Sequence, residues 1–358
     1  MSEIVRIVQH PGRRSPDRNA FRISQPAWDW QAPVALPGGL PANYTSRNRP
    51  DRPGAPASSV GGGRMSTVDD APDTVLACEP VSPQVAPAAP DSRAPKPATA
   101  ARIYDYLLGG LHNFPADQEA ARAVIALLPS VPVVARAHRA FLGRAVRHLA
   151  EAGVRQFLDV GSGIPTEGNV HEIAQSVAPE SRVVYVDIDP VAVGESLQLL
   201  DTNHHATALR GDLRTPQAIL EHRAVARLLD FNQPIGLLLA AVLHFVPDDQ
   251  QAYDAVAHLL AAAAPGSYLV VSHAAAETFQ PDAEGSKAAS EIYRQQTATP
   301  GKPRTRGAVQ KFLTGLHLVD PGTVWVHQWH SDPTQPPPAL LTDDPQRAGG
   351  WAAVGKKP

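Results

Sequence analysis

The chain reads as an α/β fold, a mostly parallel sheet with a terminal antiparallel hairpin, preceded by a helical lid, and three observations carry that reading. Gln156, Phe157, Leu158, Asp159 and Val160 form an apolar run that ends beside an acid and breaks at once into Gly161-Ser162-Gly163, a buried strand followed by a tight glycine turn. A second run, Arg182-Val183-Val184-Tyr185-Val186-Asp187, also ends on an acid, about 24 residues past Gly163 and close to the ~20-residue spacing at which a carboxylate meets a ribose. From 101 to 329, short apolar runs alternate with Ala/Leu/Arg-rich segments of helical period, the pattern of a parallel sheet with crossover helices.

The elements follow in order. Ahead of the first strand, apolar residues recur at helical spacing over 120–128 and 133–149, with Pro129 and Pro132 breaking the run between them. The glycine turn leads to a helix near 168–176, and the second strand to a helix over 190–200, where Pro190 suits a first helical turn. A third strand, 205–209, ends at Gly211-Asp212-Leu213, and 216–229 reads as one helix. The fourth strand, 234–243, is almost wholly apolar, as a central strand covered on both faces requires. Asp248 and Asp249 offer an N-cap for a helix reaching residue 264, Pro265-Gly266 stops it, and 267–272 is the fifth strand. Residues 277–306 read as irregular. A short helix near 309–313 precedes strands at 316–319 and 323–329, joined through Asp320-Pro321-Gly322 and expected to pair with each other.

Composition sets the boundaries. Residues 1–99, rich in Pro, Ala, Gly, Ser and Arg, read as a disordered leader, 100–330 as the folded domain with 101–152 as its lid, and 331–358 as a flexible tail. Gly61-Gly62-Gly63-Arg64 ahead of Met65 leads to the expectation that translation begins at Met65. A net charge of −3 and a pI near 6.5 supply no basic field for nucleic acid. Cys78 is the one cysteine, so there is no intrachain disulfide or cysteine zinc cluster, and no histidine set has metal-ligand spacing. No stretch approaches the ~20 apolar residues of a membrane span, and a soluble cytoplasmic protein is expected.

Parallel strands closed by a hairpin fit the Rossmann-like class I methyltransferase fold better than the plain dinucleotide fold, which ends in further parallel strands. Particular strings add to this: Arg102-Ile103-Tyr104-Asp105-Tyr106-Leu107-Leu108-Gly109-Gly110, Asn113-Phe114 and Asp117; then Asp159-Val160-Gly161-Ser162-Gly163-Ile164-Pro165-Thr166, Asn169-Val170-His171-Glu172, Asp187, Asp189-Pro190, Gly211-Asp212-Leu213-Arg214, Val242-Leu243-His244-Phe245-Val246-Pro247 and Pro265-Gly266-Ser267-Tyr268-Leu269. In this order they resemble the bacterial S-adenosylmethionine-dependent methyltransferase family of high-GC Gram-positive type, formerly catalogued as a domain of unknown function. The resemblance covers 101–329. It departs at Leu111-His112, where a lysine and an aspartate are usual, and at His138, where an asparagine is usual.

The resemblance implies a Rossmann-like fold, S-adenosylmethionine as methyl donor and a small-molecule acceptor. It places Gly161, Ser162 and Gly163 against the methionine portion, with Asp159 ordering the loop or meeting the amino group. Asp187, with Ile188 beside it, falls on the ribose, Asp212 and Leu213 on the adenine, and Ala241 near the sulfonium. Asp187 has a second reading as a helix N-cap, for which Asp189 is better placed. Tyr104 and Asp105 are the candidates for chemistry or positioning in the lid, with His244 as a general base or, alternatively, a packed residue. Arg136 and Arg139 either face an anionic substrate group or form a solvated helix face. Two other functions compete: a cofactor-binding regulatory protein without turnover, and a nicotinamide oxidoreductase. Against the latter, Pro165-Thr166 stand where a dinucleotide fingerprint needs its third glycine, and no Tyr-x-x-x-Lys pair occurs.

Overall fold

The computed structural model describes residues 97–358 apart from 166–167, 280–283, 298–299 and 334–335. The expected leader, with Met65 and Cys78, lies outside the described residues except for 97–99. Those three residues belong to the folded unit: Ala98 is buried, the Pro97 carbonyl accepts from Arg102, and the Thr99 hydroxyl both caps the first helix and donates to Asp189 at 2.5 Å.

Three helices come first, α1 (Ala100–Leu108), α2 (Pro115–Leu127) and α3 (Val131–Glu151). Pro132 starts α3 rather than breaking it, because a proline in the first turn has no N–H that the helix would use. Strand β1 (Gln156–Val160) follows, then α4 (Val170–Val177), β2 (Arg182–Asp187), α5 (Pro190–Leu199) and β3 (Ala206–Arg210). The single helix expected over 216–229 is two, α6 (Pro216–Leu220) and α7 (Arg223–Leu228), since the His222 side chain accepts from Ala224 N–H and restarts the helix. Strand β4 (Gly236–Ala240) stops short of the expected residue 243: Ala241 takes a left-handed φ of 54°, and Leu243–Phe245 forms a 3-10 turn. Next come α8 (Asp249–Ala262), capped by Asp248, and β5 (Tyr268–Ala274).

The chain after β5 differs most from expectation. The stretch read as irregular contains a helix, α9 (Glu284–Gln296), which packs on α2. After α10 (Arg306–Lys311), strands β6 (His317–Leu318) and β7 (Val324–Trp325) do not pair with each other. Both pair with β8 (Gly350–Lys356), which lies beyond the short α11 (Ala339–Asp343) in the segment expected to be a flexible tail. That segment is the antiparallel partner of β5 over its whole length, Tyr268 opposite Lys356 through Ala274 opposite Gly350. The reason is steric: Gly350 and Gly355 sit where a Cβ would lie 2.1 Å from His138 and 2.9 Å from Leu316, so residues that look like linker composition are what close approach requires. The remainder of the expected 323–329 strand is a turn held by Arg144, which donates to the Val326 and Trp329 carbonyls at 2.7 and 2.8 Å.

The sheet runs β3-β2-β1-β4-β5-β8-β6, with β1 to β5 parallel. Alternation along each central strand feeds two cores. Leu158, Val184, Leu237, Leu269 and Ala353 pack on one face, and Phe157, Tyr185, Leu238, Val270 and Val354 on the other. Burying one such Leu, Val or Phe contributes about 1.5–3 kcal/mol, so the two-sided sheet is the rigid platform. A third, smaller core joins α1 and α2 through Ile103, Leu107, Ala120 and Ala121, with Ile292 and Tyr293 of α9 against it. Chain order reverses between β1 and β4, and a ligand crevice belongs at that switch point, at the carboxyl ends of the strands. Among the described residues no single helix is long and apolar enough to cross a membrane, and the one pair that would reach that length, α2 with α3, is bent by 105°.

Candidate active site

A cavity of about 490 Å³ opens at that switch point and is roofed by α1, α2 and α9. Its floor is the glycine turn. Gly161 has a φ of +77°, and a Cβ on it would lie 2.2 Å from Val242, so only glycine fits. The Gly161 and Ser162 N–H groups donate to the Val186 carbonyl at 2.8 and 3.1 Å, which pins the turn to the neighbouring strand.

Asp187 ties the two strand ends together, accepting from Gly163 N–H through one oxygen and Asp189 N–H through the other, each at 2.8 Å. Burial pushes its carboxyl up to about 6, against the pull of those N–H groups. The helix cap is instead Asp189, whose carboxylate accepts from Val191 N–H at 2.8 Å. The other Asp189 oxygen meets Thr99 and Arg102, and Arg102 also pairs with Asp117 at 2.9 Å. This buried network fastens α1 and α2 to the start of α5.

Asp159 stands on the floor with one oxygen buried and without a hydrogen-bond partner. Burial pushes its carboxyl up to about 7, Arg139 pulling down and Asp187 pushing up. Arg139, which also lines the cavity, has a buried Nε without a partner, while its Nη2 donates to Asn169 at 3.1 Å. A buried carboxyl and a buried guanidinium, each with an unsatisfied atom, therefore line the same cavity. Arg139 is not on a solvated face. It belongs to the stripe Ala135, His138, Arg139, Leu142, Val146 at helical spacing on the buried side of α3, a pattern present in the sequence; Arg136, by contrast, does not line the cavity.

Asp212, Leu213, Ile188 and Ala241 also line the cavity. Arg214 grips the Asp212 carboxylate, Nη2 at 2.6 Å and Nε at 2.9 Å; partial burial pushes that carboxyl up, and the Arg214 bonds outweigh it and hold it below the usual range. Leu213 is largely packed in the core, whereas Ile188 is 41% exposed, unusual for an isoleucine at a strand end. Ala241 N–H is fixed by the Ser272 carbonyl and hydroxyl, both at 3.0 Å.

The lid candidates separate. Tyr104 lines the cavity, but its hydroxyl donates to the Ala135 carbonyl at 2.9 Å, and burial pushes it up to about 12. Asp105 does not line the cavity. One carboxylate oxygen accepts from His112 N–H at 3.0 Å and Asn113 Nδ2 at 2.8 Å, and Gly110 is close enough that a Cβ there would lie 2.0 Å from the other. Asp105 therefore organises the 109–113 turn. His244 does line the cavity. Its Nδ1 accepts from Ala274 N–H at 3.5 Å, so the neutral ring carries its proton on Nε2, and burial with His273, His138 and Arg304 nearby holds its pKa well below the ordinary value. A ring in that tautomer is a hydrogen-bond donor through Nε2, not a base. Of the two readings open to Arg139, the cavity-facing one is the one its position fits, whereas sequence reading missed the α9 face Ser286, Ala289, Ser290 and Tyr293, whose i, i+3, i+4, i+7 spacing was its available signal. Among the described residues no group of three or more His, Cys, Asp and Glu side chains is arranged to hold a metal.

A parallel sheet in this order, closed by an antiparallel strand between β5 and β6, with a glycine turn after β1 and an acid at the end of β2 at the switch point, defines a Rossmann-like methyltransferase. The profile of the S-adenosyl methyltransferase family matches residues 87–358, and the chain belongs to that family. A DUF574 family protein of Streptomyces avermitilis MA-4680 is 42% identical, with 73% of this chain and 98% of that one covered and a TM-score of 0.67. A Thermobifida fusca YX protein assigned as a methyltransferase is 37% identical over 73% of this chain and 95% of that one, with a TM-score of 0.66. No curated protein sequence matches the chain. The protein is an enzyme with S-adenosylmethionine as its methyl donor. The cavity wall suits that donor, since its amino-acid end carries both charges that the unsatisfied Asp159 oxygen and Arg139 Nε call for.

Proposed function

We propose that the donor lies along the strand ends with its methionine end between Arg139 and Asp159, and that its methyl group passes to a small-molecule acceptor held in the other half of the cavity. The carrying observation is that two residues lining the cavity each carry a buried, unpartnered polar atom, Arg139 Nε and Asp159 Oδ2. Arg139 takes the carboxylate and Asp159 the ammonium, each interaction charge-assisted and shielded from water. Backbone of Gly161, Ser162 and Gly163 passes beneath the methionine carbons. Asp187 accepts from the ribose hydroxyls, Ile188 and Leu213 cover the adenine, and Asp212, already held by Arg214, accepts from its exocyclic amine. Ala241 lies nearest the sulfonium.

The sulfonium supplies an already activated methyl carbon, so the chain's own contribution is alignment and exclusion of water rather than strong acid or base chemistry. Tyr104 anchors the lid against α3, Asp105 shapes its loop, and His244 presents a donor to the acceptor. The test titrates the full chain with S-adenosylhomocysteine and with adenosine. Arg139→Gln is expected to weaken the homocysteine compound about tenfold and leave adenosine unchanged. Equal loss for both ligands would remove Arg139 from the methionine end.

A further inference from the structure

Beyond the donor half, the cavity continues between α2, α3, α9 and the Leu243–Phe245 turn, and its wall there changes character. Val124, Leu128, Val134, Phe245, Phe279 and Tyr293 form most of it. Among the described residues the acids on the cavity wall, Asp159, Asp187, Asp189 and Asp212, all stand at the donor end. The cation on the far side is Lys302, whose Nζ is held 2.8 Å from Asp249. Arg304, behind His244, is consumed by the Leu243 and Val246 carbonyls, Asp249 and His273. A charged acceptor entering this half would lose its hydration without meeting a counter-charge, a cost that an uncharged one escapes.

Besides Lys302, the polar side chains in this half are His138, Tyr104, His244, Tyr293 and the α9 serines Ser286 and Ser290, and the imidazole beside the Phe245–Tyr293 space is the one placed to orient a ring. His138 Nδ1 is bonded to Ser272 Oγ at 2.8 Å, and its Nε2 packs against Gly350. The Tyr104 hydroxyl is taken by Ala135. His244 is different: Ala274 N–H occupies Nδ1, and Nε2 has no hydrogen bond to any described residue. Phe245 and Tyr293, with ring centroids 5.9 Å apart, flank the space beside it.

We infer that the acceptor chamber takes an uncharged, largely apolar molecule of aromatic-ring size, oriented by one hydrogen bond from His244 Nε2–H to an oxygen on that molecule. This rests on the donor reading above and narrows its acceptor to a class. Neutral phenols fit, the phenol oxygen bonding to the methyl carbon as the C–S bond breaks and its proton passing to solvent, and carboxylates and ammonium compounds do not.

The test uses the full chain, with and without saturating S-adenosylhomocysteine, and three probes sharing one ring system: 2-naphthol, 2-naphthoate and 2-naphthylmethylammonium, titrated at pH 7.5 by calorimetry. The naphthol is expected to bind at least about tenfold tighter than either charged probe. His244→Phe keeps the ring and removes the donor, and it is expected to weaken 2-naphthol about fivefold while leaving naphthalene unchanged. A charged probe binding as tightly as the naphthol, or none of the three binding, overturns the proposal. An unchanged naphthol affinity in His244→Phe overturns the hydrogen bond. Loss of S-adenosylhomocysteine binding alone counts against the donor reading, because the probe titrations without it still report on the chamber. Melting curves of the variant confirm that it folds.

Discussion

The donor half of the cavity takes its polar atoms from successive strand ends, Asp159 and the glycine turn after β1, Asp187 after β2 and Asp212 after β3, whereas the acceptor half is assembled from segments as far apart as Leu107 and Gly349. The first is polar, rigid and cross-braced by backbone N–H groups; the second is apolar and roofed by helices that carry their own small core. A fixed donor requires one set of hydrogen-bonding partners, and a parallel sheet delivers them wherever strands end. An acceptor chamber on helices and loops can change its lining without disturbing that frame. The two halves should accordingly respond to different perturbations.

The largest separation is expected from Gly161→Val. Both the left-handed φ of +77° and the 2.2 Å approach to Val242 forbid a side chain, and the turn must move. Affinity for S-adenosylhomocysteine should fall by ~100-fold or more, with the acceptor half still binding 2-naphthol. Calorimetry on both ligands reads the contrast, and equal loss of both would mean that the halves are one mechanical unit.

That asymmetry also governs what the sequence made legible. The strands β1 and β2 and the turn between β1 and α4 announce themselves, because an apolar run, an acid and a glycine turn are contiguous. The cavity-lining residues Asp159, Gly161, Ser162, Gly163, Asp187 and Asp212 could be named for the same reason. The acceptor half has no such signal. His138 sits on a helix stripe that reads equally as core, as does the donor-end Arg139, and α9 hides in a stretch whose neighbours are Gly- and Pro-rich. Strand β8 is the clearest case. Gly350-Trp351-Ala352-Ala353-Val354-Gly355 lacks polar alternation because it is buried on both faces, and its glycines are there for His138, Leu313 and Leu316. Only the fold shows that close approach, so composition made a tail of a strand in the sheet interior. Asp105 misled in the opposite way: an acid in a distinctive string reads as chemistry, and its geometry serves the 109–113 turn.

A smaller effect separates the halves by charge. Burial pushes Asp187 up to about 6 and Asp159 up to about 7, against an ordinary carboxyl value of 3.8. Between about pH 4 and pH 7 the folded protein therefore holds protons that the unfolded chain has released, and the ligand-free protein loses stability as pH rises through that window. A bound donor reverses the sign, because its ammonium and ribose hydroxyls favour the ionised carboxylates. The rise in Tm caused by S-adenosylhomocysteine is expected to be larger at pH 8 than at pH 5.5, whereas binding of 2-naphthol should be the same at both. A donor-induced shift independent of pH would take the two carboxylates out of donor binding.

The smallest effect concerns Tyr104, which touches both halves. Its hydroxyl donates to the Ala135 carbonyl and burial holds it neutral, so it joins α1 to α3 and has no proton to exchange near pH 7. Tyr104→Phe leaves the ring in place and removes one buried hydrogen bond, a loss of about 1 kcal/mol. Tm should fall by ~2–4 °C in a domain of this size, with S-adenosylhomocysteine and 2-naphthol affinities unchanged. An unchanged melt together with a tenfold weaker naphthol would instead put the hydroxyl in the acceptor chamber. It would also mean that the Ala135 bond gives way when the chamber fills, so that the lid opens and closes at α1 rather than standing fixed on the Arg102, Asp117 and Asp189 network.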